Sequence, residues 1–133
     1  MLPLLKMAAE VALPTSDKDP RNFWLGCVGI RDDGVMVSGR NGATEFSNIV
    51  ENYQLVPNAH AEGRVLRKLG KKGILFVARV SRKDHSLAMA QPCGMCQVRI
   101  RAAKVKKVYY TINDNQYGVW LPSSDQYRIY TVK

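Results

Sequence analysis

The order of elements along the chain predicts an α/β protein, a three-layer α/β/α sandwich around a mixed sheet of about five strands. Three observations predict it. Two apolar runs flank Asp32-Asp33-Gly34, the pattern of a hairpin. Two segments of helical periodicity, near Val65 and Val98, are each followed by a β-branched run. Strand–helix–strand passages of this kind imply right-handed crossovers and a parallel half-sheet. The length, 133 residues with 46% apolar, suits one domain spanning 1–133 with a real core.

Leu4 to Val11 reads as a short helix ending before Pro14, and Pro14 to Pro20 reads as a loop by composition. Phe23 to Ile30 is a strand, returned after the turn by Val35 to Ser38. A loop from Gly39 to Asn58 follows, with a short turn of helix near Phe46. Ala61, Val65, Leu66 and Leu69 form an apolar helical stripe closed by Gly70 as C-cap. Ile74 to Ala78 is continuously apolar between charges, as a buried central strand is. Ser81 to Gln91 is a polar loop, Cys93 to Ala103 a third helix and Val105 to Thr111 a further strand. Tyr127 to Val132, rich in aromatic and β-branched residues, supplies the last strand. There is no repeat, linker or low-complexity block.

Twenty basic and eleven acidic residues give a formal charge of +9. The excess is concentrated: from Arg64 to Lys107 the only acidic residue is Asp84. This basic stretch favours anionic partners, either nucleotide phosphates or a nucleic-acid backbone, and is otherwise a solvated face. No apolar run approaches the roughly 20 residues that span a bilayer, so no membrane partner is expected. Met1 to Lys6 is too brief for a secretory signal. Three cysteines do not make a disulfide framework, and a reducing cytoplasm is the expected setting. Cys27 reads as a small buried hydrophobe within a strand.

His60-Ala61-Glu62 and Pro92-Cys93-Gly94-Met95-Cys96 carry the chemistry. A CxxC at a helix start sets two thiols about one turn apart on one face. The orphan N–H groups and the dipole there favour the thiolate, the form that binds metal. Pro92 suits the entrance of such a helix. If the helix beginning near His60 faces that start, His60, Cys93 and Cys96 converge as three ligands for Zn2+ and leave the fourth position open, as catalytic zinc requires. Glu62 stands outside that set, placed to take a proton from water and return protons to a substrate. A redox CxxC or a closed structural zinc site are the other readings, but His85 lies in a polar loop and Cys27 in an apolar strand, so neither supplies a fourth ligand.

H-x-E…P-C-x-x-C is the signature of zinc-dependent base deaminases, and the chain resembles the cytidine deaminase-like superfamily from about Leu4 to Thr111. Gly26 to Ile30, Asp33-Gly34 and Val35 to Gly42 look like the hairpin and G-x-N loop of its free-nucleotide members. The resemblance implies that Asn41 contacts the sugar or base of the substrate. It also implies that the Ala61 N–H holds the pyrimidine carbonyl and that the carbonyl near Pro92 accepts the amino group. His60 as ligand is the habit of deoxycytidylate, tRNA adenosine and polynucleotide cytidine deaminases, whereas Pro92 to Gln97 is similar to the nucleoside enzymes. Lys106 to Thr111, with Asp114 and Tyr117, is similar to deoxycytidylate deaminases. The interval Gly42–Ala59 holds no cysteine or histidine for a second zinc, and neither threonine nor glutamate precedes Pro92.

The resemblance therefore implies a hydrolase of pyrimidine nucleotide metabolism, converting a cytosine nucleoside or nucleotide to the uracil form with loss of ammonia. Deoxycytidylate is the leading substrate, with Arg40 a candidate for its phosphate. The alternative is a nucleic-acid base deaminase acting on RNA or single-stranded DNA, tracking the basic stretch and stacking bases on Trp24, Tyr53, Tyr117 or Trp120. A third reading, a zinc-stabilised binding protein without activity, gives Glu62 no purpose. A homo-oligomer is expected from the habit of the relatives.

Overall fold

A computed structural model describes residues 1–13, 23–40 and 61–132. They form α1 (Pro3–Ala12), β1 (Phe23–Ile30), β2 (Met36–Arg40), α2 (Ala61–Leu69), β3 (Gly73–Ser81), β4 (Leu87–Ala88), α3 (Gly94–Ala102), β5 (Val105–Asn113), β6 (Gln116–Leu121) and β7 (Gln126–Thr131). Gly39 and Arg40, expected to open the Gly39–Asn58 loop, instead extend β2 and pair with Cys27 and Gly26. The rest of that loop, with the turn near Phe46, and the loop at Pro14–Pro20 lie outside the described residues.

The hairpin between β1 and β2 forms where the acidic turn predicts it. The Arg31 N–H donates to the Val35 carbonyl at 2.8 Å and the Gly34 N–H to the Arg31 carbonyl at 2.8 Å. Gly34 holds a φ of 91°, which a side chain would resist. Asp33 accepts the Val35 N–H at 3.2 Å and the Arg31 guanidinium at 2.9 Å.

The strands follow the order β2-β1-β3-β5-β6-β7, with β4 added to β3. β1 is antiparallel to both β2 and β3, β3 is parallel to β5, and β6 and β7 complete an antiparallel meander. β2 and β3 therefore point the same way on either side of β1. Both helical crossovers join strands of like direction, yet only β3 and β5 form a hydrogen-bonded parallel pair. The sheet has seven strands instead of about five. β4, two residues long, is too short to leave a pattern. β6 was hidden by Gly118 at its centre: the Tyr110 ring occupies the space that a Cβ there would need. Only the partner strand explains that glycine.

Alternation along the strands builds two cores, one on each face. Leu5, Ala8, Val28, Phe76 and Ala78 pack beneath α1. Cys27, Val65, Leu75, Val77, Cys96, Ile100, Val108 and Trp120 fill the face under α2 and α3. This is the three-layer sandwich the sequence predicts, with Cys27 fully buried as expected. Burial of a Leu or Ile side chain, as at Leu75 and Ile100, stabilises by about 1.5–3 kcal/mol. β1 carries one glycine per face. A Cβ on Gly26 would enter the α1 backbone at Ala8 and Ala12, and one on Gly29 would press on Val65 and Leu69. Both helices thus lie closer to β1 than any side chain would permit. Among the described residues no helix is long and apolar enough to cross a membrane.

Candidate metal centre

α2 and α3 pack side by side on one face of the sheet. Each turns within a few residues into the strand that follows it, and the two turns meet where the Lys72 N–H donates to the Ala103 carbonyl at 2.9 Å. Because β3 and β5 are parallel, both helices begin at the opposite end, where those strands finish. Helix starts gather positive potential and orphan N–H groups.

Cys93 is the N-cap of α3, in extended conformation with φ −72° and ψ 167°. Its carbonyl accepts the Gln97 N–H at 2.8 Å, the first bond of the helix. Cys96 sits one turn inside, 2% exposed, while Cys93 is exposed. The first turn holds no acidic residue, and the last holds Arg99 and Arg101. Nothing acidic at the helix start therefore competes with thiolates for the dipole. No cysteine is in a disulfide.

The segment entering α3 is tied down by Thr111, Asp114 and Gln97, to which the sequence reading gave no part in the site. β3 and β5 pair as far as Val77 and Tyr110, and then β4 enters beside β3. At this fork Thr111, fully buried, accepts the Arg79 N–H at 3.2 Å and donates to the Ala88 carbonyl at 2.7 Å. The Ala90 N–H donates to the Thr111 carbonyl at 2.9 Å, and the Leu87 N–H to Asp114 at 2.8 Å. Gln97 reaches back from α3 to donate to the Pro92 carbonyl at 2.9 Å. A threonine in a strand is ordinary, so only its fully buried hydroxyl marks Thr111. Gln97 had a readable signal: a polar side chain one turn after a helix entrance.

Of the expected site residues, Cys93, Cys96 and buried Pro92 are brought together at the start of α3. Ala61 and Glu62 occupy the first two positions of α2. His60 and Asn41 lie outside the described residues, as does Tyr53. Arg40 donates to the Leu13 carbonyl at 2.7 Å, which anchors it to the end of α1. Trp24 and Trp120, named as stacking surfaces, are core residues at 6% and 0% exposure. Tyr117 lies between the Tyr109 and Tyr130 rings. His85 is exposed, as its loop predicts.

A pair of thiols at a helix start fits zinc, which takes sulfur and nitrogen together. Among the described residues no third His, Cys, Asp or Glu joins them. In sequence, His60 directly precedes α2, whose first turn lies at the same end of the sheet. The two thiols fit zinc; the third ligand expected from the sequence, His60, lies outside the described residues.

A family model described as the cytidine and deoxycytidylate deaminase zinc-binding region matches residues 3–112. The fold is similar to that of the cytidine deaminase from Mycobacterium leprae, with a TM-score of 0.54 and 23% identity over 91% of this chain and 92% of that one. It is likewise similar to the Mycobacterium tuberculosis cytidine deaminase, with a TM-score of 0.52 and 21% identity over 81% and 80% of the two chains. No curated protein matches by sequence.

Proposed function

Since the chain belongs to the family of the cytidine and deoxycytidylate deaminase zinc-binding region, we propose that it hydrolyses the exocyclic amine of a free cytosine nucleoside or nucleotide, deoxycytidylate foremost. The observation that carries this is the joint position of Cys93 at the cap of α3, Cys96 one turn inside, and Ala61-Glu62 opening the neighbouring helix at the same end of the sheet. His60, Cys93 and Cys96 would hold the zinc. The ion supplies water of lowered pKa at neutral pH.

The residues of the chain do the rest. Glu62 takes one proton from the water and passes it to the ring nitrogen beside the amino-bearing carbon. The water oxygen bonds to that carbon, Glu62 carries the second proton to the amine, and the C–N bond breaks. Cytosine and water thus become uracil and ammonia. The Ala61 N–H would hold the ring carbonyl and Asn41 the sugar. The Pro92 carbonyl, which accepts from Gln97, would also accept the substrate amine on its second lone pair. A homo-oligomer is supported by β7, whose Ile129 is 63% exposed. The cytoplasm is the compartment in which the cysteines would stay reduced.

Deamination of nucleic acid remains the second reading and is the weaker one. Two of its proposed stacking aromatics are buried, and Lys71, Lys72, Lys104 and Lys107 stand at the end of the sheet remote from the cysteines. Turnover of cytidine, deoxycytidine and their monophosphates, set against DNA and RNA oligonucleotides, separates the two.

A further inference from the structure

The turns that close α2 and α3 adjoin at the end of the sheet remote from the cysteines, joined by the bond from Lys72 to Ala103. Lys71, Lys72, Lys104 and Lys107 stand exposed there. Among the described residues none of these four forms a salt bridge, although the charge of Lys72 acts on the Asp32 carboxyl nearby. Lys106 and Arg101 flank them, each 2.8 Å from one carboxylate, Asp32 and Asp125 respectively. Helix dipoles account for cations in the last turns of α2 and α3. They do not account for lysines placed beyond the helix ends, where each repels the others. Lys72 and Lys104 moreover hold left-handed backbone, with φ of 65° and 55°. Glycine or asparagine would sit there with less strain. Lysine at both positions therefore adds charge at the expense of local comfort.

We propose that this end of the molecule binds the phosphate backbone of a single-stranded nucleic acid, at a site separate from the candidate metal centre. Several lysines across two turns match a chain of phosphates better than one small anion. No large apolar side chain is exposed among the described residues of either turn, so the surface lacks what would insert into a membrane. A stacking face stands alongside. The Arg101 guanidinium lies 5.4 Å from the centre of the Trp120 ring, and Tyr127, 40% exposed, stacks on Trp120 at 5.9 Å and 14°. A base can continue that column on Tyr127.

The test is fluorescence anisotropy of a labelled single-stranded oligonucleotide of about twenty nucleotides, titrated with the full-length protein across a salt series. Lys71→Gln with Lys104→Gln is compared with Lys6→Gln and Lys83→Gln, an equal loss of charge placed elsewhere. The first pair should weaken binding about tenfold and reduce the salt slope by about 1.4, the loss of two phosphate contacts. The second pair should change affinity less than about twofold. Lys107→Gln replaces Lys104→Gln should the left-handed position fail to fold. Equal losses in the two pairs, absence of salt-sensitive binding, displacement by a free cytosine nucleotide, or equal affinity for polyglutamate would each overturn the proposal. Because the assay reads no turnover, failure of the deaminase reading leaves its result intact.

Discussion

The hydroxyl of Thr111 donates to the Ala88 carbonyl at 2.7 Å while accepting the Arg79 N–H at 3.2 Å, and so fills the fork where β3 and β5 part. This bond, with that from Ala90 to the Thr111 carbonyl, fixes the backbone four and two residues before Pro92. Thr111→Val keeps the shape and removes the hydroxyl, leaving a backbone N–H and a carbonyl without their partner. Stability should fall by about 1–3 kcal/mol, read by urea denaturation. Thr111→Ser keeps the hydroxyl and should recover most of the loss. If Ser fares no better than Val, the methyl packing matters and the hydroxyl does not.

The two cysteines differ in access, and this can be read without turnover. In the metal-free protein Cys93, exposed at the helix cap, should alkylate well before Cys27 and buried Cys96. Loading with zinc should protect Cys93. Cys96→Ser or Cys93→Ser should abolish retention of about one zinc per chain, measured by elemental analysis. Full zinc content in both variants would remove the cysteines from the centre.

Close helix approach makes glycines unequal. Gly26→Ala puts a methyl group into the Ala8–Ala12 backbone of α1 and should cost about 1–3 kcal/mol or more. Gly94→Ala, at the exposed first position of α3 with open space around it, should be neutral or stabilising by up to about 1 kcal/mol. Thermal melts of the two variants compare them directly.

Lys106, by a hydrogen bond first and its charge second, holds the Asp32 carboxyl below its ordinary value. A depressed folded value means that the pair contributes above the unfolded carboxylate pKa, and that this contribution fades as pH falls through the folded one. Lys106→Met should therefore raise the Asp32 titration midpoint seen by carboxyl NMR. An unchanged midpoint would show that the 2.8 Å contact does not persist in solution.

Periodicity and turn chemistry made much of this fold legible. The alternation at Cys27 and Val28 shows which side of β1 each faces, and Val65 with Leu69 marks the buried stripe of α2. Gly70, with φ of 76°, ends that helix where a left-handed cap was expected. β6 escaped because Gly118 answers to Tyr110 across the sheet, a demand local sequence does not carry. The position of Cys93 and Cys96 at a helix start was legible because both lie within four residues. Thr111 was not, because its role comes from a fork that forms only when β4 enters beside β3. The basic stretch was visible as charge, but its place came only with the direction of the two helices.

One measurement bears most directly on the central claim. Zinc-loaded protein is incubated with deoxycytidylate, cytidine, deoxycytidine and cytidylate, and with single-stranded DNA and RNA, and uracil-form product and ammonia are quantified beside Glu62→Gln. The account predicts equal amounts of the two products from a free nucleotide or nucleoside, deoxycytidylate first, with the variant reduced by at least about a hundredfold. Conversion confined to the polymers, or equal turnover by Glu62→Gln, would contradict it.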